Sequence, residues 1–77
     1  MSRTFQDHNF LVWEAFPSSG RFGYSERPHI VFHCLTLKNL RPRFVSHDGD
    51  AADAARTVER STSAELLELL GRSQEVS

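Results

Sequence analysis

The chain has 77 residues, enough for one domain, and at this size folding buries only about 60% of the surface an unfolded chain exposes. Hydrophobic residues at 39% and charged residues at 25% exclude wholesale disorder, and the net charge of −1 excludes a strongly polycationic nucleic-acid binder. One cysteine, Cys34, excludes an intrachain disulfide and suits a reducing compartment. No stretch reaches membrane-spanning length. Met1–Ser2–Arg3–Thr4 is not followed by an apolar run of signal-peptide length, so the expectation is a cytoplasmic protein. The charge is unevenly spread: residues 1–47 carry six Lys/Arg against three Asp/Glu, and residues 48–77 carry three against seven. An acidic helical layer on a more basic sheet accounts for that split.

Residues 1–8 are expected to fray. Asn9 to Phe16 is rich in aromatic and β-branched residues and reads as the first strand, stopped by Pro17. Leu11, Trp13 and Ala15 point one way, while Phe10, Val12, Glu14 and Phe16 point the other. Ser18 to Pro28 is a loop containing Gly20 and Gly23, with Phe22 and Tyr24 expected to fold back onto the sheet. His29 to Leu37 is the clearest strand: Ile30, Phe32, Cys34 and Thr36 form one face, and His29, Val31, His33, Leu35 and Leu37 the other. Lys38 to Pro42 makes a turn, and Arg43 to His47 returns as a third strand, with Pro42 at its start.

Asp48–Gly49–Asp50 breaks the strand and offers Asp50 as an N-cap. A helix is expected from Ala51 to about Glu59, with Ala51, Ala55 and Val58 on its apolar face. Thr62 followed by Glu65 matches a capping box and opens a second helix. Leu66, Leu67, Leu69 and Leu70 form its stripe, Gly71 suits its end, and residues 72–77 are expected to fray. The predicted fold is α+β: a three-stranded antiparallel sheet with two C-terminal helices packed on one face. A small curled SH3-like barrel is the alternative.

The order Val12–Trp13–Glu14, Ile30–Val31–Phe32, Arg41–Pro42–Arg43 and Ala64–Glu65–Leu66–Leu67 resembles a family of small uncharacterised bacterial domains. That family carries a Trp-acidic strand, an arginine-rich third strand and a leucine-rich C-terminal helix. Pro42 between the arginines departs from the pattern, as does the lack of Pro and Trp between the last strand and the helix. The family has no assigned activity, so the resemblance implies an α+β domain and transfers no reaction.

Residue chemistry points to no catalyst and no cofactor. His29 and His33 share a strand face but lie four residues apart, about 13 Å at the strand rise, too far to chelate one ion. Cys34 faces the other way. A metal site would need His33 opposite His47 and a further ligand such as His8 or a carboxylate; no metal is expected. Ser46–His47–Asp48 contains triad residue types, but neighbours on a strand alternate faces.

Two interaction surfaces compete. Two short helices cover one sheet face, leaving Phe10, Val12, Phe16, Val31 and Leu35 as an apolar surface for a protein partner or a weak homodimer. The alternative is weak binding of nucleic acid through Phe22, Tyr24, Lys38, Arg41 and Arg43.

Overall fold

Alternation sets the sheet. In Val12–Ser18 the odd positions Trp13 and Ala15 are buried against the helices, and in His29–Cys34 the even positions Ile30, Phe32 and Cys34 join them, while His29 and Val31 are buried on the opposite face. A computed structural model describes residues 2–18 and 28–75 of the chain. The described residues form β1 (Arg3–Gln6), β2 (Val12–Ser18), β3 (His29–Cys34), β4 (Arg43–Ser46), α1 (Ala51–Arg60), α2 (Ser63–Arg72) and β5 (Gln74–Glu75). The strands pair antiparallel in the order β1-β2-β3-β4-β5.

The α+β class and the two helices stand, but among the described residues the sheet has five strands where the sequence predicts three. Both added strands come from segments expected to be loose. β1 has one apolar residue facing inward, Phe5, which sits across from Trp13. Only that partner gives the segment a reason to be a strand. β5 has two residues and pairs Glu75 with Arg43. The sheet is an open meander with helices on one face, not a curled barrel. β2 also runs through Pro17 to Ser18. Pro17 pairs with Ile30 beyond the last β1–β2 partners, Arg3 and Ala15, so β2 is an edge on that side and a missing N–H is tolerated there. The Ser18–Pro28 loop lies largely outside the described residues, Phe22 and Tyr24 included.

Both helix starts follow their caps. The Asp50 side chain accepts from the Asp53 amide at 2.9 Å and Asp53 reciprocates at 3.0 Å, while Thr62 and Glu65 do the same at 3.1 and 2.8 Å. Gly49 precedes the first cap at φ +94°, and a Cβ there would collide with the Asp53 carboxylate. The buried stripe of α1 is Ala54 and Val58, an i, i+4 pair. Ala51, expected to face inward, is exposed. Leu66 and Leu70 are the buried residues of α2, with Leu67 and Leu69 partly buried beside them. Gly71 does not stop α2; the helix continues to Arg72 and ends on Ser73 in an extended conformation.

The core lies between the helices and one sheet face: Phe5, Trp13, Ala15, Ile30, Phe32, Cys34, Ala54, Val58, Leu66 and Leu70. Phe5 meets Phe32 edge-to-face at 6.0 Å. Two arginines from the sheet grip the helix ends. One guanidinium nitrogen of Arg3 in β1 donates to the carbonyls of Val58, Glu59 and Ser61 at 3.3, 2.8 and 3.0 Å. Arg43 in β4 donates to the Ser73 hydroxyl at 2.9 Å and its carbonyl at 2.7 Å. A cation at a helix C-terminus satisfies carbonyls that have no partner within the helix and complements the dipole.

Candidate functional sites at the two ends of the sheet

The strand connections place two different surfaces at opposite ends of the sheet. At one end stand the β1–β2 turn and the β3–β4 turn, joined by the Leu35 amide donating to the Val12 carbonyl at 2.8 Å. Asp7 organises the first of these. Its carboxylate accepts from the amides of Asn9 at 2.8 Å and Leu11 at 3.0 Å and from the Trp13 indole at 2.8 Å. Burial raises the Asp7 carboxyl, but the donors from Trp13, Leu11 and Asn9 and the nearby His8 outweigh it and hold the pKa below the usual 3.8. The turn carries Leu11 against the core and throws Phe10 outward at φ +64°, the one non-glycine residue with positive φ among those described. Phe10 is 78% exposed, and Leu35 and Leu37 on the neighbouring turn are 41% and 43% exposed.

The other end is polar. α1 starts just past β4, α2 ends at the residue from which β5 returns to β4, and the Ser61–Thr62 link is held at β1 by Arg3. The helices therefore run from β4 across to β1 and back to β4. A shallow, solvent-open cleft of about 490 Å³ is lined there by His47, Asp48, Arg56, Thr57, Arg60 and Glu65, and a neighbouring hollow shares His47, Asp48 and Thr57 and adds Val45 and Leu69. Thr57 lines both of these and a third hollow beside Glu68. His47 Nε2 lies 2.7 Å from Thr57 Oγ1, and Nδ1 lies 2.5 Å from the Asp48 carbonyl oxygen. On the rim, the Asp50 amide, then Arg56, hold the Asp53 carboxyl below its usual range, and the Thr62 amide and hydroxyl do the same for Glu65. Arg56 pairs with Asp53 at 2.9 Å, an exposed i, i+3 contact of small energetic weight.

The residues singled out in the sequence are distributed as follows. Val12, Phe16 and Val31 share the sheet face away from the helices, where Phe16 pairs with Val31 and Val31 with Phe44. Val31 is only 3% exposed. Phe10 and Leu35 leave the strands for the turn end. Lys38 and Arg41 are exposed on the β3–β4 turn, but Arg43 faces the helices and is bound to Ser73. The register sets His33 across from Glu14, while the His47 amide bonds the Pro28 carbonyl, so the two histidines are not brought together. Among the described residues no group of three His, Cys, Asp or Glu side chains could hold a metal ion, and no helix is long and apolar enough to cross a membrane.

The His47–Thr57 pair is absent from the sequence reading. Its one available signal is parity: His47 continues the alternation of Arg43 and Val45, the residues that face the helices. No protein-family model, curated protein or solved structure matches the chain, and the resemblance carried by Trp13–Glu14 and Arg41–Pro42–Arg43 rests on those residues alone.

Proposed function

We propose that the protein is an association domain that pairs with a second copy of itself through the turn end of its sheet. The observation that carries this reading is Phe10, a phenylalanine held 78% exposed in a left-handed backbone conformation. That conformation costs an L-residue about 1–2 kcal/mol, and it leaves most of the phenyl ring in water. Strained residues cluster where a contact is made. Leu35 and Leu37 extend the apolar surface on the adjacent turn. A two-fold arrangement lets one patch serve both subunits, and burying a phenylalanine stabilises by about 1.5–3 kcal/mol per copy.

Sedimentation velocity over a wide concentration range tests it. A monomer–dimer equilibrium that Phe10→Ser abolishes is the expected result; a monomer at every concentration defeats the reading. Salt-dependent retention on a polyanion column, lost on replacing Lys38 and Arg41 with alanine, would favour nucleic-acid binding at the same end.

A further inference from the structure

The polar end supports a chemistry that the apolar end does not. A backbone carbonyl can only accept, so the 2.5 Å contact to the Asp48 oxygen fixes the neutral His47 ring with its proton on Nδ1. Nε2 then presents its lone pair, and the Thr57 hydroxyl 2.7 Å away donates to it. A hydroxyl bonded to an imidazole that a third group orients is the arrangement of an activated nucleophile. The oxygen also has somewhere to act, because Thr57 lines the open cleft beside His47 and two neighbouring hollows. Arg60, one turn along α1 from Thr57, lines the same cleft and gives its wall a positive charge.

We propose that His47 and Thr57 form an acyl-transfer pair acting on small carboxylic esters. The Thr57 oxygen attacks the ester carbon, and its proton passes to His47 Nε2. Collapse of the tetrahedral adduct breaks the bond to the leaving alkoxide, which takes the proton from Nε2 and departs as the alcohol. Thr57 is left acylated. A water then gives a proton to Nε2 and attacks the acyl carbon, the carboxylic acid is released, and the Thr57 oxygen recovers its proton. No oxidant, reductant or metal enters the balance. Val45 and Leu69, both partly buried, border the adjoining part of the cleft and suit a short apolar acyl chain.

The test uses p-nitrophenyl acetate with the full chain. Nitrophenolate release is followed, and the acid-quenched protein is mapped by peptide mass spectrometry. The expected result is an acetyl group on Thr57, lost together with the protein-dependent rate in Thr57→Val. His47→Gln should slow acylation by about a hundredfold, the usual size of general-base assistance. Thr57→Ser should retain it. Circular dichroism establishes that each variant folds, and the adduct mapped on the unaltered chain decides the matter if one does not. Acetylation elsewhere, or a Thr57→Val protein as fast as the parent, overturns the proposal. So does a chain that shows no acetyl-Thr57 and no release above buffer.

Discussion

The two ends of the sheet are built by different means. At the turn end a single carboxylate, Asp7, satisfies donors within six residues of itself, and the apolar groups it leaves outside belong to two short connections. At the helix end short-range bonds cap the helices, but the contacts that seat them join separate elements: His47 reaches Thr57 on α1, and Arg3 of β1 reaches Val58, Glu59 and Ser61. The turn end is thus specified locally, and the helix end exists only while both helices are docked. A surface for association needs no more than a rigid turn. A base and a hydroxyl from separate elements need the whole core behind them.

Truncating the core breaks the comparison most severely. Leu66 is fully buried between α2 and the sheet, so Leu66→Ala should cost about 2–5 kcal/mol. Thermal melting measures the loss, and native-state hydrogen exchange should show it weighted toward the helices. A variant that melts with the parent would contradict the dependence of the helix end on α2. Arg3→Met should cost about 1–3 kcal/mol, because three carbonyls at the end of α1 lose a charged donor. Urea unfolding reads it, and the Thr57 hydroxyl and His47 ring signals should shift with it while the Trp13 indole stays in place.

The turn end should respond in the opposite sense. Phe10→Gly relieves the left-handed backbone, and even after the added freedom of glycine in the unfolded chain it should leave stability unchanged or raised by about 1 kcal/mol. The same change should abolish self-association in sedimentation, separating the two properties. Gly71 offers a control on α2: a Cβ there meets nothing, so Gly71→Ala should add about 0.5–1 kcal/mol in the same unfolding assay without touching either end.

Acid gives the smallest and most local effect. The folded Asp7 pKa lies below its unfolded value, so its contribution to stability is full above the usual 3.8 and is lost as pH falls through the lower folded value. The chain has one tryptophan, and its indole N–H resonance should hold its position down to that range and then move as Asp7 protonates. Movement beginning well above pH 3.8 would show that the carboxylate is not held by these donors.

The parts of this fold legible in the sequence are those with a local cause. Side-chain parity in β2 and β3 follows from the two-residue repeat of a strand, and the starts of both helices follow from Asp50 and Thr62, whose side chains act within three residues. β1 and β5 were not legible, since four residues with one inward phenylalanine and a two-residue strand are defined by their neighbours and not by their own pattern. The end of α2 misled for a related reason. Gly71 looks like a stop, but Arg43 and Ser73, thirty residues apart, set it. For the candidate sites, Phe10 and Leu35 could be named from alternation, although their exposure comes from a turn and not from an open face. The pairing of His47 with Thr57 could not, because it depends on where α1 lands.

The sheet order also dictates a timetable. β1 to β4 follow one another as neighbours, so each pairing closes only the short connection between adjacent strands. β5 is the exception: it meets β4 only after both helices have been traversed. Local pairings form early and cheaply, and closure over a longer stretch comes late. The meander therefore can assemble as a nucleus while the helices are still exchanging. The Arg43–Ser73 grip and the Arg43–Glu75 pairing are then the final latch that commits α2 to its place. Until that latch forms α2 is not held at β4, so the slow refolding step should appear in probes on α2 and in the burial of Trp13, which shares the core with Leu66 and Leu70.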